Sequence, residues 1–305
     1  MTNFINIYLK NKGECKMSTI YVLYNKKAGA ADDYEKAKTL ENETGKAVEL
    51  IDVETISDYK TFLDSLNSDD SIILAGGDGT INCFINNIEG LELKNEVLYY
   101  PNGTGNDFAH ELGYEKNCKP FSINEYIKDL PVVTVKGKTY RFINGVGYGI
   151  DGYCCEVGDE LKKIPGKKIN YTAIAIKGLL FHYKPTNAKV IVDGKEYTYK
   201  KVWLAPTMNG KFYGGGMMPT PNQQRGSGLV STMLFFGTGK LRTLMIFPTL
   251  FKGEHVNRKK NVVVFTGKEV TVEFDRPVAL QIDGETILNV SSYTAKVKAK
   301  ETATV

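Results

Sequence analysis

The chain has 305 residues, of which 42% are hydrophobic and 24% are charged, and its formal net charge is +4. This length and composition suffice to bury a substantial core and predict two domains. The small net charge argues against a dedicated nucleic-acid-binding protein, which would usually present a strongly basic face. No apolar run reaches the roughly 18–20 residues that a membrane-spanning helix needs.

The first segment of the chain, residues 1–16, is predicted to be an extension without a role in the fold. It lacks the uninterrupted apolar run and the small-residue cleavage site of a signal peptide. The five cysteines show no Cys-x-x-Cys spacing, which is typical of a protein from a reducing compartment. We therefore expect a cytoplasmic protein.

Residues 17–131 alternate short apolar runs with helical patterns, which predicts an α/β domain with a parallel sheet. The predicted strands are Ile20–Tyr24, Ala47–Val53, Ser71–Ala75 and Val97–Tyr100, and the predicted helices are Ala31–Asn42, Ser57–Leu66, Thr80–Asn87 and Asn106–Leu112. Ligands of such sheets bind at the carboxyl ends of the strands. This rim is therefore where we expect the functional residues.

Two glycine-rich turns follow the third and fourth predicted strands. They comprise Gly76, Gly77, Asp78, Gly79 and Thr80 in the first turn, and Asn102, Gly103, Thr104, Gly105, Asn106 and Asp107 in the second. Each turn opens a helix, so backbone N–H groups point at an anion, and the missing Cβ atoms allow a phosphate to approach closely. A single turn of this kind would be expected only to cap a helix. Two on one rim predict a site for nucleotide phosphates.

Asp78 is an unexpected residue in a turn that faces phosphates, because its charge would repel them. A cation between the two groups removes this conflict, and Mg²⁺ is commonly held by one or two carboxylates plus phosphates and water. We therefore predict that Asp78 is a metal ligand. Asn25 and Lys27 follow the first strand on the same rim and are candidates for phosphate contacts, although an ordinary loop would look similar.

From residue 132 to residue 305 the pattern changes to several short strands separated by turns, which predicts an antiparallel β-sandwich. The predicted strands are Val132–Val135, Thr139–Tyr148, Ala188–Asp193, Tyr197–Ala205, Leu229–Phe236, Val262–Thr266, Val270–Phe274 and Ala279–Ile282. An amphipathic helix is predicted over Lys168–Tyr183, interrupted at Gly178. Between Glu160 and Lys211, eleven lysines stand against three acidic residues, which suits an anionic membrane surface or simply a solvated face.

Five motifs, in this order, resemble the diacylglycerol kinase catalytic-domain family, in particular its bacterial soluble lipid kinases. They are Gly76–Thr80, Asn102–Ala109, Phe142–Asn144, Gly214–Gly216 and Ile282–Glu285. The first motif is shared with NAD kinases and phosphofructokinases, whereas the second is far more specific to lipid kinases. The resemblance implies an α/β nucleotide-binding domain with a phosphofructokinase/NAD kinase-like parallel sheet, followed by a β-sandwich lipid domain whose last strands pack back toward the cleft.

The same resemblance implies ATP and Mg²⁺ as cofactors and assigns roles to four carboxylates. Asp283 would be the general base, Glu285 would lie near the metal with Asp78, and Asp107 would join these carboxylates or their hydrogen-bond network. The spacing of Asp283-Gly284 is by itself typical of a hairpin turn.

Two departures from the family pattern accompany these motifs. The segment Gln224–Ser231 contains no carboxylate where the relatives hold a structural Mg²⁺, and Thr134 replaces an aspartate. The expected function is a lipid kinase that phosphorylates diacylglycerol or a related lipid alcohol. NAD kinase and a non-catalytic nucleotide- or lipid-binding regulator are the alternatives. The expected partners are the lipid, a transient anionic membrane surface and, as an open alternative, a second copy in a homodimer, but no nucleic acid.

Overall fold

The computed structural model describes residues 18–25, 46–164 and 169–298. Their N-terminal part forms a five-stranded sheet in the order β2-β1-β3-β4-β5. The strands are β1 (Thr19–Tyr24), β2 (Ala47–Asp52), β3 (Ser71–Gly76), β4 (Glu96–Pro101) and β5 (Phe121–Ser122). Strands β1 to β4 run parallel, and β5 pairs antiparallel with β4. The predicted α/β domain is thus confirmed, whereas residues 1–16 and the helix predicted over 31–42 lie outside the described residues.

The helices of this domain are α1 (Tyr59–Ser65), α2 (Asp78–Asn87), α3 (Asp107–Glu111) and α4 (Asn124–Ile127). Helix α2 buries Ile81, Phe84 and Ile85, whose spacing of three and four residues places them on one face. These side chains belong to the same core as Ile72 and Leu74 of β3. Strand β3 is an unbroken apolar run because it is buried on both faces.

The C-terminal part of the described chain forms a ten-stranded sheet. Its strands are β6 (Val132–Val135), β7 (Lys138–Arg141), β8 (Gly145–Tyr148), β9 (Thr186–Val192), β10 (Lys195–Leu204), β11 (Thr207–Met208), β12 (Val230–Phe236), β13 (Val262–Gly267), β14 (Glu269–Ile282) and β15 (Glu285–Lys296). The first half of β14 pairs with β9 and its second half pairs with β8. This double pairing folds the sheet on itself around one large core and confirms the predicted β-rich domain.

Two of the predicted strand boundaries are wrong. The strand predicted over Thr139–Tyr148 is divided into β7 and β8, and the residues between them turn toward the other domain. The break predicted between the strands Val270–Phe274 and Ala279–Ile282, which contains Pro277, is instead an irregularity within the single strand β14, whose register shifts between Glu273 and Val278. Proline lacks the N–H that a regular ladder needs, and a bulge tolerates it.

Three helices complete this domain: α5 (Ile150–Lys162), α6 (Tyr171–Lys177) and α7 (Lys240–Ile246). Sequence patterns predicted neither α5 nor α7. The helix predicted over Lys168–Tyr183 is present as α6 from Tyr171 to Lys177, and it ends just before the interruption predicted at Gly178. A π-type turn, Gly178–His182, follows α6. A Cβ on Gly178 would lie 2.6 Å from Cε1 of Tyr153, so glycine is needed where this turn crosses α5. None of the helices in the described ranges has both the length and the apolar character required to cross a bilayer.

Candidate active site

The two glycine-rich turns lie in direct backbone contact at the carboxyl ends of β3 and β4. The carbonyl oxygen of Gly76 accepts hydrogen bonds from the N–H groups of Asn102 and Gly103, at 3.1 and 3.0 Å. A Cβ on Gly103 would overlap the Cα of Gly77. The turns therefore form one unit, and its close packing explains the need for bare backbone at these positions.

Asp78 connects the first turn to helix α3. Its N–H donates to the Gly105 carbonyl at 3.2 Å, and its carboxylate accepts the N–H groups of Asp107 and Phe108, at 2.8 and 3.1 Å. The anion at the start of α3 is thus the chain's own side chain, which the sequence pattern did not reveal. The role of Asp78 as a metal ligand stays a prediction.

Burial is the main reason that the pKa of Asp78 rises to about 7, and the neighbouring Asp107 carboxylate adds to the rise. The two N–H donors oppose the shift but do not cancel it. A buried carboxylate that interacts with a second carboxylate favours a nearby cation or a shared proton. The environment of Asp78 is therefore compatible with a cation at this rim.

Asp107 links the two domains through its side chain. Its two carboxylate oxygens accept the N–H groups of Gly215 and Gly216, at 2.8 and 2.6 Å. Both glycines have positive φ angles, 83° and 97°, which L-residues rarely adopt. This geometry gives the Gly214–Gly216 motif a physical reason: the loop must turn its N–H groups toward a carboxylate of the other domain. Burial raises the pKa of Asp107.

The Asp283-Gly284 pair forms the hairpin turn between β14 and β15. Both residues have positive φ angles, 47° and 99°, the pattern of a type I′ turn. The N–H of Gly284 donates to Oε1 of the buried Gln281 at 2.7 Å. Gln281 was not predicted as a site residue, because its contact depends on the turn geometry. The turn reaches the N-terminal domain, since Nδ2 of Asn82 in α2 donates to Asp283 at 2.9 Å.

Backbone N–H groups surround the remaining side of the Asp283 carboxylate. They come from Ile143, Asn144 and Gly145, at 2.6, 2.9 and 2.9 Å. Together with Asn82 they provide four donors, which is about the number that a carboxylate accepts. Burial raises the pKa of Asp283, and these donors oppose the rise. The role of Asp283 as the base stays a prediction, because an acceptor hydroxyl would have to replace one of these donors.

Glu285 lies on the same turn but is exposed to solvent. Its Oε1 is 3.9 Å from the position that a Cβ on Gly79 would occupy. No hydrogen bond to its carboxylate is found in the described part of the chain. Glu285 is therefore a carboxylate of the second domain that faces the first glycine turn with its oxygens available.

The other predicted phosphate contacts divide into supporting and open groups. Asn106 supports the second turn, because its Nδ2 donates to the Gly103 carbonyl at 2.9 Å. The N–H groups of Thr104 and Gly105 have no acceptor within the described ranges, and Thr104 is exposed. Asn25 follows β1, whereas Lys27 lies outside the described residues.

A buried ion pair, also missed by sequence reasoning, joins the domains behind the site. Arg225 Nη2 lies 2.6 Å from Oε2 of Glu111, and both side chains are only 8% exposed. The same guanidinium donates to the Ile143 carbonyl and to Oδ1 of Asn144, and it lies over the ring of Phe108. The segment 224–231, which lacks the carboxylates expected for a structural Mg²⁺, thus contains the cationic side chain of Arg225 instead.

The residues fit a magnesium site in which the nucleotide supplies most of the ligands better than a site built from several protein side chains. No group of three or more metal-ligating side chains converges among the described residues. The carboxylates of Asp78, Asp107 and Asp283 already accept N–H groups. Of the four predicted carboxylates, Glu285 is the one that accepts no hydrogen bond from the described residues, and Mg²⁺ needs only one or two carboxylates when phosphates and water supply the other ligands. The site fits a cation held mainly by the nucleotide.

Comparison with known proteins agrees with this architecture. Residues 19–133 match the family model of the diacylglycerol kinase catalytic domain, and residues 144–299 match that of the YegS C-terminal NAD kinase beta sandwich-like domain. The chain is 26% identical over 224 residues to a diacylglycerol kinase of Mycobacterium tuberculosis, covering 71% of this chain and 70% of the relative. It is 27% identical over 228 residues to a diacylglycerol kinase of Bacillus subtilis, covering 72% and 73%.

Among solved structures, a diacylglycerol kinase from Bacillus anthracis superposes with a TM-score of 0.62, covering 92% of this chain and 94% of that one. The sequence identity is 20%, so this likeness concerns the fold alone.

The contact between the glycine turns gives a stability prediction. Gly103→Ala is expected to lower the free energy of unfolding by about 1–3 kcal/mol, because the new methyl group would force the turns apart. Gly79→Ala is the matched control, since its Cβ would meet nothing closer than 3.9 Å. Urea unfolding of both variants measures the difference, and equal stability would contradict the interlocked geometry.

The buried ion pair gives a second prediction. Arg225→Met should cost about 3–5 kcal/mol of unfolding free energy, because it leaves the Glu111 carboxylate buried without a partner. The double variant Arg225→Met/Glu111→Leu should recover most of that loss. Lys163→Met removes an exposed pair with Glu160 and should cost little. If Arg225→Met and Lys163→Met unfolded at the same denaturant concentration, the buried pair would stabilise the protein no more than the exposed pair does, and this prediction would be wrong.

Proposed function

The chain belongs to the diacylglycerol kinase catalytic-domain family, and from that premise we propose that it is an ATP- and Mg²⁺-dependent lipid kinase. It transfers the γ-phosphate of ATP to the hydroxyl of diacylglycerol or a related lipid alcohol. The lipid is its substrate, and the protein works from the cytoplasm with peripheral contact to the membrane.

The observation that carries the proposal is the approach of the second-domain hairpin turn to the first glycine turn. Glu285 faces Gly79, and Asp283 accepts a hydrogen bond from Asn82 of the helix that begins at the same turn. Acidic groups from one domain thus lie beside a phosphate cradle in the other. Phosphoryl transfer depends mainly on such positioning and on charge neutralisation.

In this proposal the phosphate cradle consists of the two glycine turns. The open N–H groups of Thr104 and Gly105 donate to phosphate oxygens, and the hydroxyls of Thr80 and Thr104 add further donors. Asn25 and Asn102 flank the nucleotide on the same rim, and Lys27, outside the described residues, stays a sequence-based candidate for a phosphate contact. Glu285 and Asp78 would be the residues that hold Mg²⁺, which would supply positive charge to neutralise the phosphates.

The acceptor hydroxyl needs a base, because an alcohol is a weak nucleophile until its proton is removed. Our sequence-based assignment is Asp283, at the junction of the two domains. Glu285 is a strong competitor, because it is exposed and accepts no hydrogen bond from the described residues, whereas four donors surround Asp283. Both residues are on one turn, so either assignment places the base opposite the cradle.

A transfer assay tests the activity. The protein is incubated with labelled ATP, Mg²⁺, dispersed diacylglycerol, other lipid alcohols and NAD. We expect labelled phosphatidic acid or another lipid phosphate. Labelled NADP would instead identify an NAD kinase, and nucleotide binding without transfer to any acceptor would identify a non-catalytic regulator.

Two substitutions on the hairpin turn separate the candidate bases. Glu285→Gln should leave the unfolding free energy within about 0.5 kcal/mol. If Glu285 is the general base, Glu285→Gln should also lower turnover by about 10²–10⁴-fold. Asp283→Asn should destabilise the protein, because its amide cannot accept all four donors. Glu269→Gln, at the far end of β14, is the control and should change neither property.

The two variants have distinct readings. Full turnover in Glu285→Gln, with loss of turnover in a folded Asp283→Asn protein that still binds ATP, would assign the base to Asp283. Full turnover in both would remove the turn from the reaction.

A further inference from the structure

An exposed apolar surface lies on the β-rich domain, outside the candidate active site. Phe181, Leu241 and Met245 are 73%, 73% and 71% exposed, more than any other large hydrophobic side chain among the described residues. Single exposed apolar residues are common, but a cluster of them marks a surface that contacts another apolar phase. We call these three residues the apolar docking face.

The three side chains come from two segments that the structure holds together. Leu241 and Met245 are four residues apart on α7 and so lie on one face. Nζ of Lys240 donates to the Leu180 carbonyl at 2.6 Å, which fixes the start of α7 beside the π-type turn that carries Phe181.

Buried neighbours anchor both segments. Leu179 is fully buried beside Phe181, and Ile246 is 6% exposed beside Met245. The apolar docking face is therefore presented by well-packed elements, and its exposure is not the result of a loose chain end.

Basic residues flank the apolar docking face along both of its segments. Residues 171–184 and 239–253 contain five lysines and arginines and no aspartate or glutamate. These five cations are exposed and form no ion pair within the described part of the chain; they are Lys177, Lys184, Lys240, Arg242 and Lys252. Exposed apolar side chains on segments that carry only basic charges complement an anionic bilayer. A symmetric contact with a second copy would instead bring these cations against each other.

We propose that the apolar docking face inserts into the headgroup region of an anionic membrane, with the five cations on lipid phosphates. This deepens the proposed function, because a lipid alcohol is presented by a bilayer, and it rests on that function for the choice of a bilayer as the partner. The contribution of the cations makes the contact reversible and sensitive to salt.

Vesicle sedimentation with the full chain tests the proposal without turnover. The chain is mixed, in the absence of ATP, with phosphatidylcholine vesicles that contain or lack phosphatidylglycerol. We expect binding to the anionic vesicles and at least tenfold weaker binding at high salt. The triple variant Phe181→Ser/Leu241→Ser/Met245→Ser should bind at least tenfold more weakly than the unaltered chain. Leu288→Ser, another exposed apolar residue, should bind unchanged.

Three results would overturn the proposal. The first is that the unaltered chain does not bind anionic vesicles, and the second is that the triple variant binds them as tightly as the unaltered chain. The third is that the unaltered chain and Leu288→Ser sediment as dimers whereas the triple variant does not. Transfer to a detergent-dispersed, short-chain lipid alcohol gives an independent readout. The triple variant should retain it, whereas vesicle binding through the apolar docking face without any transfer would retain the docking proposal and remove the kinase proposal.

Discussion

Carboxylates that bind backbone N–H groups organise the cleft between the two domains. Asp78 binds the start of α3, Asp107 binds the Gly214–Gly216 loop of the other domain, and Asp283 binds the segment between β7 and β8. Each contact removes a carboxylate from water, which is costly unless donors replace the lost hydration. The donors therefore have to be in place, and this requirement fixes the positions of both glycine turns and of the β14–β15 hairpin.

This arrangement separates the residues that hold the site from those that remain available to a ligand. Asp283 is enclosed by four donors, whereas Glu285, two residues later, is exposed toward Gly79. In the same way, Asn106 braces its own turn, whereas the N–H groups of Thr104 and Gly105 find no acceptor in the part of the chain that the structure describes. Each lipid-kinase-like motif thus contains residues that hold the structure and residues that are available to a ligand, and the sequence alone does not distinguish the two.

Much of the fold could be predicted because local patterns determine it. The apolar run of β3 and the helical spacing of Ile81, Phe84 and Ile85 each reflect burial that one segment shows by itself. The glycine turns could also be predicted from the sequence, because two glycine-rich segments that follow neighbouring strands indicate a phosphate site at the end of the sheet. The partners of Asp78 could not be predicted, since they lie 29 and 30 residues away. Arg225 was missed for the same reason, because its partner Glu111 lies 114 residues away in the other domain. Gln281 was missed because its contact with Gly284 exists only once the hairpin turn has formed.

The most direct test of the central claim is a crystal structure of the chain with a non-hydrolysable ATP analogue and Mg²⁺. The account predicts that the terminal phosphate accepts hydrogen bonds from the N–H groups of Thr104 and Gly105, with the β14–β15 turn facing it across the cleft. A nucleotide bound away from the two glycine turns, or with its terminal phosphate directed away from Glu285 and Asp283, would contradict the account.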